Sequence, residues 1–181
     1  MSENISHLDL PIPADLRAEW AAEFARLPEA RTNDAERKLF LFRLGAEWFG
    51  LDPTVLAGTL PDSRPRCLPH RRNTFIDGVV VFDGRVIVCL ALDRLFNLRP
   101  SAEEKGTRRL LVVSWRNWTF AFRVDEAIGV EELLEAEIKP LSQTASDLMR
   151  RCAAGVTLHR TYAVTCLDAE PLIRELEAAM Q

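Results

Sequence analysis

The densest apolar pattern of the chain falls in residues 75–96. Two nearly continuous apolar runs, residues 79–82 and 86–92, flank the pair Asp83-Gly84. An Asp-Gly pair between such runs predicts a β-hairpin, because a two-residue turn of this kind needs positive φ at both positions. Apolar residues at successive positions indicate strands that are covered on both faces. A second layer must therefore pack on this hairpin.

Three other segments have the pattern of paired strands. They are residues 39–52, around a Gly45-Ala46 turn, residues 110–124, around an Arg116-Asn117 turn, and residues 155–167. Residues 53–60 fit a short edge strand, and three prolines make the next segment, up to residue 73, a loop. The pattern therefore predicts a mostly β chain.

Apolar residues recur with helical spacing at both ends of the chain. The stripe near the start consists of Leu16, Trp20, Phe24 and Leu27. It predicts a helix within residues 14–27, which fits two roles, packing on its own domain or docking on a partner. Residues 168–180 predict a closing helix with one apolar face.

The chain also resembles itself at a separation of just over seventy residues. A shift of 71 aligns residues 39–51 with 110–122, and a shift of 77 aligns residues 78–95 with 155–172. Two ungapped blocks in the same order at nearly the same shift indicate two similar β units. Short strands with Gly and Pro turns favour two small barrels over an open sheet, since closure removes exposed edges.

This repeat sets the predicted domain organisation. Residues 1–37 are a tail, a helix and a linker, and residues 38–181 form one domain. Within that domain, residues 38–100 are the predicted first barrel, and residues 101–181 are the second barrel with the C-terminal helix. The polar segment 101–109 interrupts the apolar pattern and marks the boundary between them.

Composition narrows the function classes. The 181 residues are 48% hydrophobic and 28% charged, with a formal net charge of −4, as in an ordinary globular domain. This charge argues against a dedicated nucleic-acid binder, which needs a basic surface. The loop at residues 61–73 is basic, with Arg64, Arg66, His70, Arg71 and Arg72, but aromatic residues do not alternate with these charges.

The sequence contains few residues or motifs that point to catalysis or metal binding. The four cysteines form no Cys-x-x-Cys pair and have no His in zinc spacing, and Cys89 and Cys166 lie in apolar runs that predict core positions. The sequence contains no phosphate loop, His-Glu-x-x-His or Gly-x-Ser-x-Gly motif. It predicts a non-catalytic binding domain with no cofactor and no metal. Reduced thiols, the lack of a signal peptide and the lack of a membrane-spanning run predict a cytoplasmic protein.

Four segments of the sequence resemble the CheW family of chemotaxis coupling proteins. They are residues 39–52, 75–92, 122–130 and 152–156, in the order found in the family. The resemblance implies two SH3-like five-stranded β-barrels with an N-terminal and a C-terminal helix, and no catalysis. It also implies a scaffold between the cytoplasmic tip of a methyl-accepting chemoreceptor and the regulatory domain of a CheA-type histidine kinase. Such a scaffold reaches the membrane only through receptor arrays and does not insert into it.

The sequence departs from the family at one position that bears on coupling. The family hallmark Asn-Leu-Arg-Gly corresponds here to Val81-Phe82-Asp83-Gly84, so that Asp83 replaces the arginine that is associated with receptor coupling. A charge reversal at a contact selects against partners that are matched to arginine. The divergent hallmark, the N-terminal helix and the run at residues 68–72 are similar to accessory coupling proteins of alternative arrays, such as the Wsp-type surface-sensing system.

The resemblance places partner binding on the groove side of the first barrel. The residues that match the family's motif positions there are Val55, Leu56, Gly78, Phe82, Asp83 and Gly84. Each also has a purely structural interpretation. The glycines suit backbone geometry, the apolar residues suit a core, and Asp83 suits a turn.

Two other functions compete with a scaffold. A small β-barrel could bind single-stranded nucleic acid with the basic loop, using Trp48 or Trp118 as the stacking surface. An enzyme of unrecognised class would need a concave pocket with convergent polar groups.

Overall fold

A computed structural model describes residues 36–67, 74–100 and 106–180. The helix predicted within residues 14–27 and the basic loop residues 68–73 lie outside this part of the chain. Within it, the chain is mostly β, as the sequence predicts. The strands are β1 (Glu36–Leu44), β2 (Glu47–Leu51), β3 (Leu56–Pro61), β4 (Ile76–Phe82), β5 (Arg85–Leu90), β6 (Arg109–Trp115), β7 (Trp118–Val124), β8 (Glu126–Leu134), β9 (Ala153–His159) and β10 (Tyr162–Leu167).

Three short or medium helices accompany the described strands. They are α1 (Leu92–Leu95), α2 (Asp147–Cys152) and α3 (Ala169–Met180), and 3-10 turns lie at Pro53–Val55 and Glu135–Glu137. The predicted closing helix is confirmed as α3. In the described residues, none of the helices is both long enough and apolar enough to span a membrane.

The strands form two five-stranded sheets. Sheet A has the order β8-β1-β2-β10-β9, and sheet B has the order β3-β6-β7-β5-β4. This arrangement differs from the predicted division into residues 38–100 and 101–181, because each sheet takes strands from both parts. The exchange arises from four pairings between the two parts, the parallel pairs β2–β10 and β5–β7 and the antiparallel pairs β1–β8 and β3–β6.

The internal repeat is confirmed as a repeat of pairing. Exchanging β1 to β5 with β6 to β10 converts the strand order of one sheet into that of the other. The registers match as well. Cys89 lies opposite Ala121 in sheet B, and their counterparts Cys166 and Gly50 lie opposite each other in sheet A. The β-bulges repeat too. The extra residue Ala57 of β3 corresponds to Ile128 of β8 at the shift of 71, and the extra residue Asp77 of β4 corresponds to Ala154 of β9 at the shift of 77.

Among the residues that the structure describes, three hydrophobic cores account for the apolar pattern. The largest lies between the sheets and joins both of them to α2 and α3. A smaller core within sheet A includes Leu39 and Leu41, and the equivalent core within sheet B includes Leu110 and Val112. Residues along β1 and β6 therefore alternate between two cores. This alternation explains why the strands are apolar at successive positions.

The prediction that both faces of the β4–β5 hairpin are covered is wrong at its tip. Val81 and Val86, which lie opposite each other, are 64% and 69% exposed. The ladder between β5 and β7 includes only Val88 to Leu90, so the end of the hairpin is not paired with β7. Asp83 and Gly84 have φ of 48° and 71°, which confirms the predicted Asp-Gly turn.

Candidate functional site

The residues predicted to bind partners lie at the end of the 3-10 turn before β3, on β3, on β4 and in the turn that follows β4. Gly78 and Phe82 are on β4, and Asp83 and Gly84 form the exposed turn to β5. Phe82 is half-buried, and its ring lies against Gly58 of β3, where an added Cβ would be 3.1 Å from the ring. The structure thus brings the end of β4 next to the strand that begins at Leu56.

The six residues differ in how much surface they offer. Val55 is buried in the core between the sheets, and Leu56 packs partly against the same core. Gly78 is buried at a φ of 149°, and the carbonyl oxygen of Arg66 occupies the space that a Cβ would take. Asp83 and Gly84 are therefore exposed, Leu56 and Phe82 are partly exposed, and Val55 and Gly78 offer almost no surface.

Sequence reasoning missed three residues beside these, Val81, Arg85 and Val86. We define the β4–β5 tip as residues 81–86, in which the apolar pair Val81 and Val86 flanks the turn. Arg85 is exposed opposite Phe82, so the tip carries one carboxylate and one guanidinium beside an apolar pair. The charges at Asp83 and Arg85 were the available signal, because charged residues at the end of a hairpin indicate that it projects into water.

The β9–β10 tip, residues 158–163, repeats this arrangement at the shift of 77. Leu158 is 65% exposed and lies opposite Ala163, as Val81 lies opposite Val86. Arg160 occupies the position of Asp83, with a φ of 55° where Asp83 has 48°. The two tips therefore share backbone geometry and apolar pairs but carry opposite charges at the turn.

The polar cavity nearest to the hallmark strands is lined by ion pairs. It has a volume of about 310 Å³ and lies among α1, the β1–β2 turn and the end of β7. Its lining includes Arg94, which is paired with Asp77, and Arg108, which is 3.5 Å from Asp125. The charges thus largely compensate one another, and the lining holds no histidine, cysteine, serine or threonine.

Three cysteines occupy core positions, as predicted for Cys89 and Cys166. Burial, with a smaller contribution from Asp77, raises the pKa of the Cys89 thiol to about 11. Burial also raises the pKa of Cys152 to about 11 and raises that of Cys166. These thiols are protonated near neutral pH and are poor nucleophiles. In the part of the chain that the structure describes, no cluster of His, Cys, Asp and Glu side chains is suited to a metal ion.

The aromatic residues of the nucleic-acid hypothesis differ in exposure. Trp48 is buried, and its ring is 4.9 Å from that of Tyr162. Trp118 is 43% exposed in the β6–β7 hairpin. Trp48 therefore offers no free face on which a base could stack.

Comparison with known proteins identifies a family and a solved structure with a similar fold. Residues 38–177 match the family model described as the CheW-like domain. The scaffolding protein TtCheW from Thermoanaerobacter tengcongensis has a similar fold, with a TM-score of 0.63 and 19% sequence identity over 77% of this chain and 88% of that chain. No curated protein matches the sequence.

Proposed function

Since this chain belongs to the CheW-like domain family over residues 38–177, we propose that it is a non-catalytic scaffold protein of chemotaxis-type signal transduction. It would act in the cytoplasm and link the tip of a methyl-accepting chemoreceptor to the regulatory domain of a CheA-type histidine kinase. No turnover is required of it, because its work is to hold two macromolecules in one assembly. The similarity of its fold to a scaffolding protein supports this assignment.

The observation that carries the proposal is the position of the family hallmark in the fold. The residues at those positions form the β4–β5 tip, where Asp83 and Gly84 are exposed beside the apolar pair. Exposed apolar residues next to charges are typical of a surface that contacts another protein. We assign receptor or kinase contact to Phe82, Asp83 and Gly84, and we assign positioning of the hairpin to Val55, Leu56 and Gly78.

Asp83 would select the partner. The family's arginine suits an acidic contact, whereas a carboxylate at this position repels one and favours a basic residue. The chain would therefore serve a receptor whose contact surface differs in charge, as in an accessory array of the Wsp type. The turn itself tolerates either residue, because Arg160 adopts nearly the same φ at the equivalent position.

The same family membership leads us to propose that each sheet closes into an SH3-like barrel. After β3, Arg66 pairs with Val79 of β4 through two backbone hydrogen bonds of 2.9 Å. After β8, Lys139 pairs with Val156 of β9 through bonds of 2.8 and 2.7 Å. In each sheet this bridge links the two edge strands, which is the contact that closure needs.

A binding experiment with purified partners tests the function. The wild-type chain should bind the kinase regulatory domain and a receptor cytoplasmic fragment from the same genome. Asp83→Arg should weaken receptor binding about tenfold, through loss of a charge match, with little change in thermal stability.

Arg160→Asp is the matched control, since it makes the opposite charge change in the same backbone geometry at the other tip. It should leave receptor binding unchanged. A folded wild-type chain that binds neither partner at tens of micromolar would contradict the scaffold function. A large loss of thermal stability in Asp83→Arg would show that Asp83 is structural.

A further inference from the structure

The β6–β7 hairpin ends in a pair of tryptophans. Trp115 and Trp118 lie opposite each other, on either side of the turn. Trp115 packs partly against the core between the sheets, whereas Trp118 is 43% exposed and belongs to none of the cores in the described residues. Packing within the chain therefore accounts for Trp115 but not for Trp118.

The internal repeat shows that the fold does not require these tryptophans. At the shift of 71, Trp115 corresponds to Leu44 and Trp118 corresponds to Glu47, and these two residues also lie opposite each other at the end of the β1–β2 hairpin. Two equivalent hairpins thus carry an exposed carboxylate in one half of the chain and an exposed indole in the other. The exposed indole therefore points to a role other than folding.

A cleft with a volume of about 260 Å³ lies between the end of this hairpin and α3. We call it the tryptophan cleft. Its size suits a single side chain better than a drug-sized molecule, which needs a larger pocket. Six of the residues that line it carry an indole ring or a charge: Trp115, Arg116, Trp118, Glu170, Arg174 and Glu177.

One half of the tryptophan cleft already holds a cation of the chain itself. The Arg116 guanidinium carbon is 5.8 Å from the centroid of the Trp115 ring, and a nitrogen of the same group is 3.6 Å from Oε1 of Glu170. Arg174 donates a hydrogen bond of 2.7 Å to the same oxygen. An indole face and a carboxylate thus hold a guanidinium here, which is a combination that suits a planar cation.

The other half has the same two kinds of group and no cation between them. Trp118 offers its exposed ring, and Glu177 is half-buried. Among the described residues, none forms an ion pair or a hydrogen bond with the Glu177 side chain, and the nearby Arg174 is bound to Glu170. A carboxylate that is partly removed from water gains more from a cation than a fully exposed one does.

From this duplication, we propose that the tryptophan cleft binds an arginine side chain of a partner protein, with the guanidinium stacked on Trp118 and paired with Glu177. Arginine suits the site better than lysine, because its planar guanidinium stacks on an indole and pairs with both oxygens of a carboxylate. Glu177 also disfavours a nucleic-acid strand, since it repels phosphates. This inference does not rest on the proposed function, because the tryptophan cleft and the β4–β5 tip belong to different elements.

Nuclear magnetic resonance of the isotope-labelled full chain tests this, because the indole N–H of each tryptophan gives its own signal. The probes are short glycine- and serine-flanked peptides that differ only in their central residue, which is arginine, lysine, citrulline or glutamate. The arginine peptide should shift the Trp118 signal with a dissociation constant of about a millimolar or more, since a single side chain supplies the contact. The citrulline peptide, which has nearly the same shape without the charge, should bind at least about threefold more weakly, and the lysine peptide should lie between the two.

Two variants of the cleft each remove one contact. Trp118→Thr removes the ring and keeps a residue suited to a strand, and Glu177→Gln removes the charge and keeps the size. Each should weaken binding of the arginine peptide at least about threefold, with the backbone N–H signals of the turn as the readout in Trp118→Thr. Glu47→Gln is the matched control, because Glu47 is an exposed carboxylate at the equivalent position of the other hairpin, and it should leave binding unchanged. Circular dichroism would verify that each variant is folded.

Arg116→Asn provides a second measurement. Asparagine tolerates the positive φ of the turn, which is 52° at Arg116. The substitution removes the chain's own cation from Trp115 and Glu170, so the arginine peptide should then shift the Trp115 signal as well as the Trp118 signal.

Four results with folded variants would overturn the proposal. They are equal binding of the arginine and citrulline peptides, tighter binding of the glutamate peptide, unchanged binding in Glu177→Gln, and a Trp115 signal that does not move in Arg116→Asn. A single-stranded oligonucleotide that shifts the Trp118 signal at a lower concentration than the arginine peptide would also overturn it, and would assign Trp118 to base stacking.

Discussion

At the scale of single residues, the most constrained position of the candidate site is Gly78. Its φ of 149° lies in a region that side chains with a Cβ rarely adopt, and the Arg66 carbonyl fills the adjacent space. The repeat places Gly155 at the same point of sheet A, where an added Cβ would lie 2.5 Å from the carbonyl oxygen of Lys139. Both glycines thus allow the close backbone approach of the bridges at Arg66 and Lys139.

We predict that Gly78→Ala lowers the free energy of unfolding by at least about 2 kcal/mol, because it adds a steric clash to an unfavourable φ. Urea denaturation of the full chain measures this change. Gly84→Ala is the control, since its φ of 71° is also unfavourable but the surrounding space is empty. We expect it to cost only about 1 kcal/mol. Equal losses in the two variants would show that the bridge to Arg66 contributes nothing.

Asp83 shows what a sequence motif can and cannot predict about a residue. The Asp-Gly turn was predictable, because local backbone preferences decide it. The exposure of the adjacent Val81 and Val86 was not, since it depends on how far β7 extends beside β5, and that ladder ends at Val88. The sequence of a hairpin does not show how far a strand from a distant part of the chain will pair with it.

At the scale of elements, the β4–β5 hairpin divides into a buried half and an exposed half. Val80 and Ile87 point into the core of sheet B, whereas Val81 and Val86 point into water one residue further along. The four residues are similar in size and polarity. Only the face of the sheet on which they lie separates the buried pair from the exposed pair.

This division predicts opposite outcomes for neighbouring substitutions. Val80→Ala should destabilise the chain by roughly 1.5 to 3 kcal/mol, because it leaves a cavity in a closely packed core. Val81→Ala should change stability by less than about 0.5 kcal/mol, since the side chain is mostly in water already. Chemical denaturation of the two variants compares them directly. A loss in Val81→Ala as large as that in Val80→Ala would mean that another part of the chain covers the tip.

The strands themselves were largely predictable, and so was their repetition. Apolar runs on either side of a turn marked β1, β2, β6 and β7. The two hairpins align at a shift of 71 because the same positions in each face a sheet core or the central core. The segment at residues 53–60 fitted a strand less well. Its first part is a 3-10 turn, in which Asp52 accepts a hydrogen bond of 2.8 Å from the backbone N–H of Thr54, and β3 begins only at Leu56.

At the scale of the whole molecule, the two sheets are interleaved and not consecutive. A repeat in sequence suggested that each copy folds on its own, but strands of the two copies pair with each other, in parallel at β2–β10 and β5–β7 and antiparallel at β1–β8 and β3–β6. Pairings of this kind leave no local signal, because either arrangement covers the same apolar faces. The exchange also places the central core between two sheets that both halves build.

Interleaving predicts that neither half is an independent folding unit. A fragment of residues 36–100 contains β1 and β2 without the three strands that complete sheet A, and β3 to β5 without the two central strands of sheet B. Its exposed edges and half-empty cores should leave it unfolded, which circular dichroism and amide chemical-shift dispersion would show. Mixing it with a fragment of residues 101–181 should restore β structure, since the missing strands are then supplied. A fragment of residues 36–100 that folds cooperatively would instead support consecutive barrels. In the intact chain, both sheets should be lost in one unfolding transition, because each sheet depends on both halves.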